Sequence, residues 1–187
     1  MPLDIPEPWG AFLRDLDREL GRPVELHCLG GFVVTMLYGL TRPTADIDVL
    51  VVRPQMDLNP LAGIGSSLHK KHRVYVQLVT VLEAYPEDYE ERLTEMFPGA
   101  FRNLRLFALD PHDLALTKLR RNSQRDREDV LYLASAVPFD IGTLRARYQG
   151  MRPCLGNPER EDLTLKLWIE AIEEQRKGNS GHALKGA

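Results

Sequence analysis

Cysteine is scarce. Cys28 and Cys154 are the two in 187 residues, which excludes a disulfide framework and makes a reducing cytoplasm the expected setting. Long apolar runs are missing too. No stretch approaches the ~20 residues that span a bilayer, so a membrane partner is not expected. A basic excess is absent: the formal charge is -3, which argues against a general nucleic-acid coat but leaves room for a local basic patch. The first ten residues are acidic and proline-rich and have the character of neither a signal nor a transit peptide. Neither Gly-x-Ser-x-Gly nor Gly-x-x-x-x-Gly-Lys-Ser/Thr occurs, and Gly63-x-Gly65 is too little for a dinucleotide fingerprint.

What is present is an ordinary globular composition, 43% hydrophobic and 27% charged, of a length that suits one domain with an appended helical part. Apolar residues at helical spacing (Trp9, Phe12, Leu13, Leu16, Leu20) predict an amphipathic helix over 8–20, stopped by Gly21. Strands are expected at 24–29, 46–52, 74–82 and 104–109. Residues 31–40 are apolar all round and predict a buried helix. A helix weakened by Gly63 and Gly65 is expected from 59 or 60 to 71, and an acidic one over 87–96. Further helices follow at 111–121, capped by Asp110, at 125–136, at 141–148 and at 159–177. The last has Leu163, Leu167, Trp168 and Ile172 on one side. The expected organisation is an α/β (α+β) domain over 1–149, then a linker and a packed C-terminal helix over 150–177, and a mobile tail over 178–187.

The most informative stretch joins Gly30-Gly31 to Asp46-Ile47-Asp48. In a strand, residues two apart share a face, with roughly 7 Å between their Cα atoms. Asp46 and Asp48 therefore stand side by side where the apolar run of residues 49–52 begins. Two adjacent anions repel unless a cation joins them, and Mg²⁺ is typically held by one or two carboxylates plus substrate phosphates. The glycine pair ends one strand and opens a helix, where bare backbone can approach phosphate. By itself Asp-x-Asp is common and marks solvated turns; the order glycine pair, helix, Asp-x-Asp strand is what raises it.

That order resembles the first motif of the polymerase-beta-type nucleotidyltransferases, above all the minimal and abortive-infection toxin-like members. The step through Arg42 and Thr44 is similar to theirs as well. Two later blocks extend the likeness. Asp113-Leu114 with Lys118 is similar to that group's Asp-Leu-x-x-x-Lys helix, and Arg125-Asp126-x-x-Asp129 to its Arg/Lys-Asp-x-x-Asp helix. Tyr89-Glu90-Glu91-Arg92-Leu93 resembles a related family of uncharacterised bacterial proteins. The resemblance spans roughly residues 24 to 135. It implies a small mixed sheet of the nucleotidyltransferase fold, with helices packed on it and a helical C-terminal extension.

The resemblance further implies an NTP substrate, Mg²⁺ or Mn²⁺ on Asp46 and Asp48, and phosphate contacts from Gly30, Gly31, Arg42, Thr44 and Lys118. An RNA end or a protein hydroxyl would be the acceptor, in a toxin–antitoxin or phage-defence setting with an antitoxin as partner. Lys118 suits phosphate as a compact ammonium on a long stem. Asp126, with Asp129 on the same helix face, would orient a cation or act as a base. The competing reading is a salt-bridged surface hairpin in which Arg121, Arg125 and Arg127 pair with Asp126, Glu128 and Asp129. One departure stands out. The family supplies a third carboxylate from a later strand, and here that strand offers Gln77, a neutral ligand that would hold a metal weakly. Glu83 is the nearest substitute. The alternative function is thus a catalytically weak relative that binds nucleotide or a protein partner as a regulatory module. The five histidines form no metal set: His69 and His72 read as a solvated helix end beside Lys70, Lys71 and Arg73, His27 as a sheet residue, and His112 as a local hydrogen-bonding group.

Overall fold

The computed structural model describes residues 5–79 and 85–183. The chain forms two compact units, residues 1–81 with 90–110, and residues 82–89 with 111–187. The first is the α/β unit. Its strands are β1 (Val24–Leu29), β2 (Asp46–Arg53), β3 (Tyr75–Leu78), β4 (Thr94–Met96) and β5 (Leu104–Ala108), and its helices α1 (Trp9–Glu19), α2 (Gly30–Met36), α3 (Asn59–Ala62) and α4 (Ser67–His72). The sheet is mixed, in the order β3-β2-β1-β5-β4. β1 runs antiparallel to β2 and parallel to β5, β3 is parallel to β2, and β4 antiparallel to β5.

Alternation decides which side of β2 is buried. Ile47 and Val49 are fully enclosed, whereas Asp46 and Asp48 lie on the opposite face and are half-exposed. Enclosing those two aliphatic side chains contributes about 1.5–3 kcal/mol each and fixes the register, because a slip of one residue would bury the carboxylates instead. A register shift at His27/Cys28 keeps Leu29 opposite Asp48. The exposed side of the sheet is stitched by Arg105, which reaches Glu25 at 2.9 Å and Glu95 at 3.0 Å and lies over the Phe107 ring. α1 is joined to the start of β5 through Asp17, whose carboxylate accepts the Asn103 and Leu104 backbone N–H groups at 2.6 and 2.8 Å.

Several expected elements differ. The acidic helix over 87–96 does not form. A single 3-10 turn, Tyr89–Arg92, is followed by β4, and Phe97 and Gly99 take positive φ (53° and 75°) in the turn back to β5. Met96 turns inward and Glu95 outward to Arg105, so sheet pairing overrides the helical propensity of the glutamates. The helix over 59–71 splits into α3 and α4 at Gly63 to Ser66. Ser66 caps α4 by accepting the His69 N–H at 3.1 Å. His72 is no solvated helix end: its side chain is 8% exposed, its Nε2 meets Asp15 at 2.8 Å, and its ring stands edge-on to Phe12. Lys71 and His72 together hold the Asp15 carboxyl down at about 2. The helix expected over 31–40 ends as α2 at Met36. Of the strand expected over 74–82, residues 75–78 are β3, and 80–82 fall outside the described residues.

The second unit is helical: α5 (Pro111–Thr117), α6 (Gln124–Ala136), α7 (Ile141–Met151) and α8 (Pro158–Ala183), with a 3-10 turn at Arg152–Cys154. α5 is shorter than the 111–121 expected. Lys118 and Leu119 bond back to the carbonyls of Ala115 and Leu116, and Asn122 takes φ 45°. α8 buries Leu165, Trp168, Ile169 and Ile172, while Leu163 and Leu167 are 57% and 53% exposed. The inward stripe is thus 165/168/169/172, at helical spacing; the expected grouping had mixed two faces. α8 runs on through 178–183, and residues 184–187 fall outside the described residues. No helix among the described residues is long and apolar enough to cross a membrane.

Asp17→Ala removes the acceptor for two backbone donors at the head of β5. Urea unfolding should show a loss of about 1–3 kcal/mol, the cost of leaving such donors unpaired. A loss under a few tenths would mean that water replaces the carboxylate.

Candidate active site

The end of β1 and the start of β2 bring Gly30, Thr44, Asp46 and Asp48 together. Gly30 begins α2 with φ +75°, a conformation that L side chains avoid. It also has no room for one: a Cβ there would collide with the Asp48 carboxylate. Gly31 differs. A Cβ on it would make ordinary contact with the Thr44 hydroxyl at 3.5 Å, so space does not demand glycine at 31. The Thr44 hydroxyl donates to Asp46 Oδ1 at 2.9 Å and fixes that carboxylate. The Arg42 backbone carbonyl accepts the Thr35 hydroxyl at 3.1 Å, tying the segment before β2 to α2.

On the neighbouring strand, Tyr75 pairs with Asp46 and Gln77 with Asp48. Paired residues on adjacent strands project to the same side, so the face carries two carboxylates, a phenol and an amide. The negative field is felt locally: burial, then the charges of Asp46 and Asp48, push the Tyr75 phenol up. Burial and then Asp48 do the same to the Cys28 thiol. Gln77 is exposed, and among the described residues no group of three or more His, Cys, Asp or Glu side chains is placed to hold a metal ion. Glu83 lies outside the described residues.

Lys118 and Asp126 belong to the helical unit. Lys118 is 4% exposed and its ammonium donates to Asp129 at 2.9 Å, with Asp126 at 3.6 Å. Asp126 and Asp129 are buried in turn. Asp126 accepts from Arg121 through both oxygens, at 2.6 and 2.8 Å, and closes a capping box with Ser123 at the start of α6. Burial acts to raise the Asp126 carboxyl, and the bonds from Arg121 and Ser123 overcome it and hold the group well below the usual carboxylate range. The arrangement is a buried charge cluster at the turn between α5 and α6, not a surface hairpin. Arg127 turns instead to Asn122, at 2.9 Å. Two polar anchors were not found from sequence. Asp113 is fully buried and paired with Arg147 at 2.9 Å, and His112 accepts the Asp140 N–H at 3.0 Å while stacking on Phe139. His112 is the local hydrogen-bonding group expected. Asp113 had only the helix-motif likeness to mark it.

The geometry predicts a sharp difference between adjacent glycines. Gly30→Ala should destabilise the protein by more than the ~1–2 kcal/mol cost of left-handed backbone, because of the added clash; part of that loss should return in Gly30→Ala/Asp48→Ala, measured by denaturant titration. Gly31→Ala should fold with near wild-type stability. A second prediction concerns acid. Asp126 has a depressed folded-state pKa, so its stabilisation is complete above the ordinary value of 3.8 and is lost as pH falls below it. Asp126→Asn should therefore lower stability at neutral pH and flatten the acid limb of the stability curve; an unchanged limb would count against the cluster.

Searches of curated proteins and of solved structures found no match. A family model described as "Nucleotidyltransferase of unknown function (DUF6036)" matches residues 13–176, from α1 through most of α8. Both units fall within that span, so the glycine–carboxylate face of the sheet and the buried Lys118 cluster are parts of one family pattern, and the chain belongs to this nucleotidyltransferase family.

Proposed function

We propose that the protein is an active, divalent-cation-dependent nucleotidyltransferase that moves a nucleoside monophosphate from an NTP to an RNA or protein hydroxyl, in a cytoplasmic toxin–antitoxin setting. The observation that carries it is the pair Asp46 and Asp48 on one sheet face, with Gly30 stripped of a side chain where Asp48 approaches. The donor set suits a hard cation: two carboxylates and, in register with Asp48, the amide oxygen of Gln77. Mg²⁺ or Mn²⁺ held there would supply neutralisation of triphosphate charge. Thr44 keeps Asp46 in one orientation, which lowers the cost of assembling the site. Gly31, whose glycine identity packing does not require, leaves backbone open to phosphate, with Arg42 close by in sequence. The acceptor hydroxyl attacks the α-phosphorus and pyrophosphate leaves.

Lys118 enters this reading with a condition. Its ammonium is already neutralised by Asp129 and Asp126, so it serves a phosphate only by giving up a buried partner. The two roles separate experimentally. As a purely structural group, Lys118→Met costs about 3–5 kcal/mol and lowers activity only through the folded fraction. As a phosphate ligand, it raises KM in the protein that remains folded.

Gln77 favours a second reading, a catalytically weak relative that binds nucleotide or a protein partner and regulates it. A neutral oxygen in register with Asp48 holds a second cation less firmly than a carboxylate. Transfer of α-phosphate label from each NTP with Mg²⁺ or Mn²⁺ onto cellular RNA, added protein and the protein itself decides between the two. Transfer by the wild type, abolished in Asp46→Asn/Asp48→Asn, establishes the enzyme. Metal-dependent nucleotide binding without transfer, with transfer gained in Gln77→Glu, establishes the weak relative. Neither binding nor transfer by folded protein overturns both.

A further inference from the structure

The helical unit contains a cavity of about 180 Å³ that the transfer chemistry does not use. It is lined from α5, from the end of α7 and the turn that follows it, and from the first turn of α8. Leu116, Met151 and Leu155 give it apolar walls; Arg120, Cys154 and Glu161 are polar groups on its lining. Glu161 is the informative one. It is 4% exposed, yet no described residue donates a hydrogen bond to its carboxylate. Nearby donors are engaged elsewhere. The Thr117 hydroxyl donates to the Leu114 carbonyl at 2.8 Å, and Tyr148 and Arg152 both donate to Asp162, at 2.6 and 2.7 Å. Burial accordingly pushes the Glu161 carboxyl up against the opposing fields of Arg120 and Arg160.

A buried carboxylate without a donor is costly, and nothing in the fold relieves the cost. A ligand that carries donors would. Arg120 constrains which ligand. Its positive charge faces the same cavity, so a bare cation would be repelled by one wall as it is attracted by the other. A molecule with both charges satisfies both. The volume lies below the roughly 300 Å³ at which pockets for drug-sized ligands begin, which excludes a nucleotide and suits a few carbons beside the charged groups.

We propose that this cavity binds a small aliphatic α-amino acid as its zwitterion, with the ammonium on Glu161, the carboxylate toward Arg120, and the side chain against Leu116, Met151 and Leu155. The site is independent of the transferase reading: it uses none of the residues on the β2–β3 face.

Calorimetric titration of the full chain with L-leucine, L-methionine, N-acetyl-leucine and leucinamide tests it at neutral pH. Leucine or methionine should bind, N-acetyl-leucine should not, and leucinamide should bind more weakly. Glu161→Gln should weaken leucine binding at least about tenfold, what losing a hydrogen bond between charged groups costs. Because Glu161 has no donor in the fold, that variant should keep wild-type stability in urea. Should it fail to fold, Arg120→Gln at an exposed position decides the matter by reducing leucine affinity to that of leucinamide. No binding of either amino acid to folded wild type overturns the proposal. So does N-acetyl-leucine binding as well as leucine, leucine affinity unchanged in a folded Glu161→Gln, or leucine affinity unchanged in Arg120→Gln.

Discussion

The Asp48 carboxylate occupies the space that a side chain at position 30 would need. Much of the α/β unit's local structure follows from that one approach. It requires glycine at 30, permits the positive φ that turns β1 directly into α2, and sets the start of that helix against the carboxylate end of β2. The approach survives because Ile47 and Val49, on the other side of β2, are wholly enclosed. Their burial leaves Asp48 no alternative face. A pair of carboxylates placed this way is a standing repulsion held by hydrophobic packing elsewhere, and so a site whose own stability would rise when a cation binds.

The helical unit solves a similar electrostatic problem internally. Lys118, Asp126 and Asp129 are all nearly inaccessible to water, and the charges are matched by one another, by Arg121 and by the Ser123 cap. Burying such a set brings little net stability, since desolvation offsets the attraction. What it does supply is a specific turn. α5 stops at Thr117 and α6 begins after Ser123 in the one arrangement that leaves no charge alone. A motif that reads as phosphate chemistry is therefore also a folding device.

How much of this was legible in the sequence depended on the range of the interaction. β1, β2 and α6 were readable to within a residue, because alternation, apolar content and a cap signal are local and agreed with one another. Asp46, Asp48 and the glycines were readable as neighbours because two short-range rules, strand periodicity and glycine at a strand end, pointed to the same place. The segment 87–96 was not. Its glutamates favour a helix in isolation, and only the distant partner Arg105 and the pairing of β4 with β5 make it a strand. His72 was missed for the same reason, since Asp15 lies 57 residues away. The two faces of α8 were confused because Leu163 and Leu167 are as apolar as the residues that are buried, and composition does not say which leucines find a partner.

Gln77 shows where local reading ends and site chemistry begins. Periodicity places it on the carboxylate face, and pairing puts it opposite Asp48. A carboxylate there would add a third negative charge to a face whose field already raises Tyr75, and in the metal-free protein that charge would be repelled by both aspartates. An amide avoids the repulsion and still offers an oxygen. The residue thus exchanges affinity for the second cation against stability of the empty site. The balance between those two terms, rather than the presence of the aspartates alone, sets how strongly this face can drive phosphoryl chemistry.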